Sequence, residues 1–348
     1  MDEKTIILTG ATGSLGKLLL GELLASPHRV VLLIRAPSQY EAEMRAASLI
    51  RRHANAVQVI RGDLAKERLG LSETDYAGLL LRTTHILHAA ASTRFDLSLE
   101  TARRSNVGMT QRMLGLAEEC VHLERFGFLS TAFVAGKRTG LIREDDFAHG
   151  EGFLNTYEQS KYEAEALMRV SASQLPMAIF RPSLIITPYE KRFRSSVSAL
   201  TLGLFLIRKG FLPILPGDRK DSLDIVTAHD VAVAIVRLLL KPRLAHLCYH
   251  LTSGDKAPKI GEIADLLDEV AGKKLNLRLY GSEETFRREL KKVIRFRPGL
   301  GLFYKKISTF VLEMAHPKVF DRRNLLSELE GETFGEGSLE GLRALMKG

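Results

Sequence analysis

Cysteine is scarce in these 348 residues: Cys120 and Cys248 lie far apart, with no C-x-x-C pair and no Cys/His cluster near either. That pattern excludes a disulfide framework, indicates no metal site and fits a reducing compartment. Long apolar runs are also lacking. The longest, residues 197–207, ends at Arg208-Lys209, short of the roughly 20 residues that span a bilayer. The charged N-terminus runs straight into a strand-like segment without signal-peptide form, so a cytoplasmic protein with no transmembrane segment is expected. There is no repeat, heptad array or nucleic-acid recognition motif, and no nucleic-acid partner is expected. Aromatics are few at 7%, yet 45% hydrophobic and 26% charged residues leave enough apolar surface to offset the entropy of ordering, which rules out a disordered chain. The length suits one large or two modest domains. Fifty Lys+Arg against 41 Asp+Glu leave +9, a bias toward anionic partners such as nucleotides, phosphorylated substrates, acidic proteins or membrane surfaces.

Short β-branched runs at residues 6–9, 30–34, 57–60, 85–89, 126–130 and 177–180 alternate with segments of amphipathic helical spacing. Strands separated by helices read as βαβ units, whose right-handed crossovers require a parallel sheet with helices on both faces. The expected fold is α/β, a Rossmann doubly wound parallel sheet. After Pro182 the alternation breaks at Pro188, at Lys191-Arg192-Phe193-Arg194, at Pro213 and at Pro216-Gly217, before a helix-like run at 229–240 and a strand-like run at 247–252. The chain is therefore expected to leave the sheet, return once and finish in a smaller, mostly helical lobe. Residues 1–188 and 222–252 would form the domain built on the sheet, and residues 189–221 and 253–348 the smaller lobe.

Thr9-Gly10-Ala11-Thr12-Gly13-Ser14-Leu15-Gly16 stands where the first strand turns into the first helix. Glycine admits positive φ and close approach of backbone to a pyrophosphate, while a helix N-terminus offers free N–H groups and a favourable dipole. Gly10, Thr12, Gly13, Ser14, Leu15 and Gly16 are thus candidate phosphate-binding residues; the plainer reading is a tight turn with small packing residues. At the end of the second strand an acidic residue would bind a ribose 2′-hydroxyl and an arginine a 2′-phosphate. Arg35 stands there, 19 positions beyond Gly16, with Ser38 close behind, which favours NADP(H) over NAD(H) unless Arg35 is only a solvated surface charge. Asp63 and Leu64 of Gly62-Asp63-Leu64 are placed for the adenine, though Asp63 also suits a helix cap.

Tyr157 and Lys161 stand four apart in a segment of good helix formers, so their side chains share one helical face. A phenol with an ordinary pKa near ~10 is a poor acid at neutral pH, and a neighbouring ammonium would lower it. The pair would then donate a proton to a carbonyl. Its helix follows the fifth strand, which ends in Leu129-Ser130-Thr131-Ala132-Phe133 and brings hydroxyls to the carboxyl edge of the sheet, where ligands bind. Capping is the alternative use of Ser130 and Thr131.

Together these features resemble the extended short-chain dehydrogenase/reductase superfamily. The resemblance runs through the glycine loop, Gly62-Asp63-Leu64, His88-Ala89-Ala90-Ala91, Asn106-Val107, Ser130-Thr131-Ala132, the segment from Tyr157 to Lys161, and Phe180-Arg181-Pro182-Ser183. Within it the chain is most similar to the thioester reductase and fatty acyl-CoA reductase branch, the male-sterility type. Leu69-Gly70-Leu71-Ser72, His88 before the alanines, Asn155-Thr156-Tyr157 and Val319-Phe320-Asp321-Arg322-Arg323-Asn324 carry that likeness. Ala135 stands where an aromatic often precedes the glycine, Gly136, which moves the reading away from sugar-nucleotide epimerases.

The resemblance implies an NAD(P)-dependent oxidoreductase in which Thr131 is the catalytic hydroxyl, Tyr157 the acid, Lys161 the ribose ligand that tunes Tyr157, and Asn106 a support for the active-site helix or its water. Ala89, Ala90 and Ala91 would line the cofactor, and the backbone at Pro182, Ser183 and Leu184 the nicotinamide. The implied reaction is NADPH-dependent reduction of an acyl thioester, carried by CoA or an acyl carrier protein, or of the fatty aldehyde. A dehydrogenase, epimerase or dehydratase of a sterol-like carbinol or nucleotide sugar is the alternative, and a non-catalytic NADP sensor a third. A homodimer is implied by the resemblance alone. Lys191, Arg192, Arg194, Arg208, Lys209, Arg219 and Lys220 suit a CoA phosphate or an acidic carrier, or simply a solvated surface. Arg287, Arg288, Lys291, Lys292, Arg295 and Arg297 read as a peripheral membrane helix or as a lobe helix packed on one side. The stripe Leu300, Leu302, Phe303, Tyr304, Ile307, Phe310, Val311 and Met314 suits an acyl channel or lobe core. His88 is either a cofactor contact or a satisfied strand-end histidine.

Overall fold

Every apolar run expected to be a strand lies in one seven-stranded parallel sheet of a computed structural model that describes residues 3–51, 54–187, 199–296, 299, 301 and 311–347. The strands in chain order are β1 (Thr5–Thr9), β2 (Arg29–Ile34), β3 (Val57–Arg61), β4 (His85–His88), β5 (Arg125–Leu129), β6 (Gly140–Ile142), β7 (Met177–Pro182), β8 (Leu184–Ile186), β9 (Ile214–Pro216), β10 (Ile225–Thr227), β11 (Cys248–Leu251), β12 (Arg278–Tyr280) and β13 (Lys318–Phe320). The large sheet runs β11-β7-β5-β4-β1-β2-β3. Chain order reverses between β1 and β4, which opens a crevice at their carboxyl ends. The single return after the excursion from the sheet is β11, paired parallel to β7 with Cys248 opposite Ile179. Short parallel pairs β8–β10, β9–β12 and β6–β13 complete the strands.

The helices are α1 (Ser14–Leu23), α2 (Gln39–Ile50), α3 (Glu73–Arg82), α4 (Leu99–Glu119), α5 (Thr156–Ser171), α6 (Ala199–Arg208), α7 (Ala228–Leu240), α8 (Ile260–Ala271), α9 (Glu283–Phe296), α10 (Arg323–Glu328) and α11 (Ser338–Lys347). Ser38, Ser72, Ser98, Asn155 and Thr227 cap α2, α3, α4, α5 and α7, each accepting a bond from the third residue on. Strand alternation explains the two covered faces. Ile6 and Leu8, with Val30, Leu32 and Ile34, pack among α1 and α7; Ile7, Val31 and Leu33 point the other way, into a core shared with α3, α4 and α5.

A further apolar cluster joins Leu204, Ile207, Ile214, Leu223, Ile263 and Leu267 in the lobe. Phe286 and Leu290 of α9 are buried in it while Arg287 and Lys292 pair outward with Glu283 and Glu289, so the basic run belongs to a lobe helix packed on one side. Arg297 of that run lies outside the described residues, as do Lys191, Arg192 and Arg194. Of the channel stripe, Val311 and Met314 are lobe core; Leu300, Leu302, Phe303, Tyr304, Ile307 and Phe310 are outside the described residues. Among the described residues no helix is long and apolar enough to cross a membrane, and no group of side chains could hold a metal.

Two buried carboxylates tie the parts together. Glu144 accepts from the backbone N–H of His250 at 2.9 Å, Asn324 at 2.6 Å and Leu325 at 3.2 Å, so it caps α10 from a distance and fastens the C-terminal segment to the sheet edge. This accounts for Asp321-Arg322-Arg323-Asn324 near the chain end. Glu165 of α5 pairs with Arg181 of β7, Nη2 to Oε1 at 2.5 Å and Nε to Oε2 at 3.0 Å, and both side chains are buried. Burial alone would push the Glu165 carboxyl up, but Arg181, Arg169 and Ser130 reverse this and hold it at about 2.

Removing Arg181 takes the two-pronged partner from a buried charge and leaves it only Arg169 and Ser130. Arg181→Met is expected to lose about 3–5 kcal/mol in urea unfolding at neutral pH. Because the folded-state value lies below the ordinary one, the contribution is present above the usual carboxylate range and lost as pH falls toward 2. The gap between wild type and variant should therefore narrow in acid.

Candidate active site

The turn between β1 and α1 is shaped for something that approaches the backbone closely. Gly10 has φ +78°, and a Cβ there would lie 2.9 Å from the Ala89–Ala90 backbone; a Cβ on Gly16 would lie 2.0 Å from the Gly10 carbonyl oxygen. Only glycine lets the loop, the start of α1 and the strand-end alanines meet. Gly13 is the N-cap of α1 and supplies no side-chain cap, so the first N–H groups of the helix are left for an anion. Thr12, Gly13 and Ser14 are exposed along this rim, Leu15 is half-buried and Gly16 buried.

At the end of β5 three consecutive residues meet three positions on one stripe of α5. The Leu129 carbonyl accepts from Lys161 Nζ at 2.7 Å, Ser130 Oγ donates to Glu165 Oε2 at 2.6 Å, and the Thr131 hydroxyl lies beside the Tyr157 phenol. Tyr157, Lys161 and Glu165 recur every four residues, so one roll of the helix satisfies all three. The half-buried Tyr157 ring is met edge-on by Phe95 at 5.4 Å, and Thr131 Oγ1 lies 3.4 Å from the Pro182 carbonyl.

The expected direct tuning of Tyr157 by Lys161 is not what this arrangement gives. Lys161 is held by the Leu129 carbonyl and stands 4.1 Å over the Phe128 ring. Burial, with the Glu158 charge next, pushes the phenol up to about 12, and only Thr131 opposes them. Burial brings the Lys161 ammonium down to about 7 against the pull of Glu165. The phenol therefore keeps its proton at neutral pH, as a donor must.

His88 is a satisfied strand-end histidine. Thr110 Oγ1 donates to the Asn106 carbonyl at 2.7 Å, so at 3.3 Å it accepts from His88 Nε2, which leaves Nδ1 to accept from Thr9 Oγ1 at 2.8 Å. Burial, with Lys161 nearby, lowers the imidazole to about 3, so it is neutral. Thr9 Oγ1 in turn accepts from Ala90 N at 3.1 Å, which fixes the start of the Ala89-Ala90-Ala91 loop. The Asn106 amide continues the chain: Oδ1 accepts from Ser92 N at 2.8 Å, and Nδ2 donates to Ser160 Oγ at 2.9 Å. The loop after β4 is thereby fastened to the active-site helix.

The remaining candidates divide by what their side chains already do. Arg35 is exposed just beyond β2 and its guanidinium makes no ion pair among the described residues. Ser38 caps α2, its hydroxyl accepting from Glu41 N at 3.2 Å. Asp63 holds a turn by accepting from Ala65 N at 3.0 Å, and Leu64 is buried. Ser183 Oγ donates to buried Asp224 at 2.6 Å, so what it and half-buried Leu184 offer a ligand is backbone. Sequence reasoning missed Phe95, Thr9 and Glu158. Only Glu158 carried a signal, the N-x-x-E spacing of Asn155 and Glu158 that marks a capping box.

Comparison with known proteins bears on the same region. A family described as male sterility protein matches residues 8–235. The chain is 28% identical over 266 residues to the fatty acyl-CoA reductase wat of Drosophila melanogaster, covering 64% of this chain and 52% of that protein. It is 30% identical over 270 residues to the nonribosomal peptide synthetase asaC of Aspergillus flavus, covering 72% of this chain and 26% of the synthetase. The chain thus spans about half the length of the first and a quarter of the second. Among solved structures, the terminal R domain from the myxalamid PKS-NRPS biosynthetic pathway superposes with TM-score 0.80 at 25% identity, over 99% of this chain and 90% of that one. The reductase (R) domain of a nonribosomal peptide synthetase from Mycobacterium tuberculosis gives 0.69 at 20% identity, over 99% and 91%, a likeness of fold.

The loop geometry generates a direct test. Gly10→Ala forces a Cβ against the Ala89–Ala90 backbone at a positive φ, and binding of a reduced nicotinamide dinucleotide measured by its fluorescence is expected to weaken at least about tenfold while the far-UV circular dichroism is unchanged.

Proposed function

The chain belongs to the male sterility protein family of NAD-binding domains, in the extended short-chain dehydrogenase/reductases, and from that premise we propose that it is an NADPH-dependent reductase of acyl thioesters or fatty aldehydes. The observation that carries the reading is the Thr131–Tyr157 hydroxyl pair at the carboxyl edge of the sheet, on the helix whose stripe is pinned to β5. The uncapped, glycine-lined start of α1 suits a dinucleotide pyrophosphate. In this reading residues 1–188 and 222–252 hold the cofactor and residues 189–221 and 253–348 take the acyl chain.

The cofactor, when bound, supplies the hydride. The protein does the rest. Gly10, Thr12, Gly13, Ser14, Leu15 and Gly16 hold the pyrophosphate, Arg35 and Ser38 the 2′-phosphate, Asp63 and Leu64 the adenine side, and the backbone of Ala89, Ala90, Ala91, Pro182, Ser183 and Leu184 the nicotinamide side. Thr131 and Tyr157 donate hydrogen bonds to the oxygen as it gains charge, and the Tyr157 phenol gives up its proton. Lys161, positively charged up to about pH 7, stands one turn from Tyr157 and would hold the ribose. Asn106 keeps the helix in place through Ser160. A thioester would be released as the thiol and an aldehyde, and a second round would give the alcohol. The names of the relatives, a fatty acyl-CoA reductase and a nonribosomal peptide synthetase, support a thioester carried by CoA or by a carrier protein.

NADPH oxidation with a mixed set of acyl-CoAs and fatty aldehydes tests the proposal. Tyr157→Phe is expected to lower kcat by about 100-fold or more with NADPH affinity retained. No oxidation by wild type with either substrate class would sink the reading. Arg35→Ala is expected to weaken NADPH binding about tenfold and leave NADH binding unchanged in a parallel titration.

A further inference from the structure

Glu158 follows Tyr157 on α5 and is 1% exposed. As the N3 residue it completes the helix cap: Asn155 Oδ1 accepts from Glu158 N at 3.0 Å, Glu158 Oε2 accepts from Leu154 N at 2.9 Å, and Oε1 accepts from the Asn155 amide. Capping explains the acid but not its burial, since Glu41 serves the start of α2 from the same N3 position in solvent. Glu158 also meets Glu313, which comes from the segment before β13 and is itself buried. Glu313 Oε2 accepts from Lys318 Nζ at 2.8 Å, and both side chains are less than 5% exposed. Glu313 Oε1 is buried and receives no donor from the protein among the described residues.

Counting donors against lone pairs decides the charge state. Two carboxyls and one ammonium share the cluster, and three carboxyl oxygens have N–H donors. With both carboxyls ionised, Glu313 Oε1 is left without a donor and the cluster carries a buried net negative charge. One proton on the pair supplies the missing donor and brings the net charge to zero. Burial and Glu313 push the Glu158 carboxyl well above the usual range, against the backbone of Leu154 and the Lys318 ammonium, and an ionised Glu158 makes Tyr157 a weaker acid.

We propose that Glu158 is a positioning residue for Tyr157 that acts uncharged, sharing one proton with Glu313 while Lys318 balances the remaining carboxylate, so that the C-terminal segment locks the start of the active-site helix and keeps negative charge off the phenol. This rests on the reading of Tyr157 as the acid. The groups around the pair are Tyr157 and Asn155 on α5, Glu313, Lys318 and His316 from the C-terminal segment, and beyond His316 the Glu283 carboxylate of α9, 3.0 Å from its Nε2. As pH rises and the shared proton leaves, an uncompensated charge forms beside Tyr157 and carbonyl reduction falls.

The test is the pH profile of kcat for carbonyl reduction in wild type, Glu158→Gln, Glu313→Gln and Lys318→Met, with thermal unfolding followed over the same range. A glutamine amide provides a permanent donor, so the alkaline limb should move up by about one pH unit or more in Glu158→Gln and in Glu313→Gln; loss of the ammonium should move it down in Lys318→Met. Lys161 titrates in every variant, so the differences between profiles are what count. A carboxyl raised on folding stabilises the protein below its ordinary range and loses that contribution as pH rises, so the Tm of Glu158→Gln relative to wild type should climb with pH. Superimposable profiles, or shifts of one sign in all three variants, overturn the proposal. A wild type without carbonyl reductase activity would fail the functional reading instead, and a flat Tm difference would then still overturn this one.

Discussion

The roll of α5 against the end of β5 is the constraint on which the site depends. Leu129, Ser130 and Thr131 present a carbonyl and two hydroxyls in succession, and Lys161, Glu165 and Tyr157 meet them from one helical stripe. The strength of the arrangement lies in its buried end. Glu165 has Arg181 as a two-pronged partner, so rolling the helix would leave a charge unpaired in the core. Tyr157, at the other end of the stripe and only half-buried, is thereby aimed without being enclosed. The half-buried phenol is held by groups two turns away.

Neutrality recurs around this stripe. His88 lies fully buried within reach of Lys161, and burial with that charge keeps it neutral between its two hydroxyl partners. Its hydrogen-bond chain runs from β1 through β4 and α4 to Ser160 on α5, so the glycine loop and the active-site helix are positioned by one series of donors and acceptors. Close packing does the same work on the cofactor side, where Gly16 against the Gly10 carbonyl leaves no slack in the loop.

The strands were legible because their physics is local. A parallel strand buried on both faces needs a nearly continuous apolar run, and each run in the first half of the chain became one. The glycine loop was legible for a similar reason, since its conformation is specified within seven residues. The small pairs β6–β13 and β9–β12 were not, because three-residue strands far apart in sequence carry no periodicity of their own. Nor was the use of Glu144, whose three backbone partners lie more than a hundred residues away. The partners of Lys161 were not legible for the same reason: shared helical spacing tells which face two side chains occupy, not what that face meets.

The amino-acid sequence alone determined the α/β class, the parallel sheet, the glycine-rich turn and the shared face of Tyr157 and Lys161, because each depends on residues within a few turns or strands of one another. Only the tertiary structure decided the charge of the groups on that face. Whether Tyr157 is raised, Lys161 lowered, Glu165 held down or Glu158 held up follows from burial and from partners brought in by Phe128, Arg181 and Glu313. A pKa depends on the medium around a group, and no stretch of sequence contains its own surroundings.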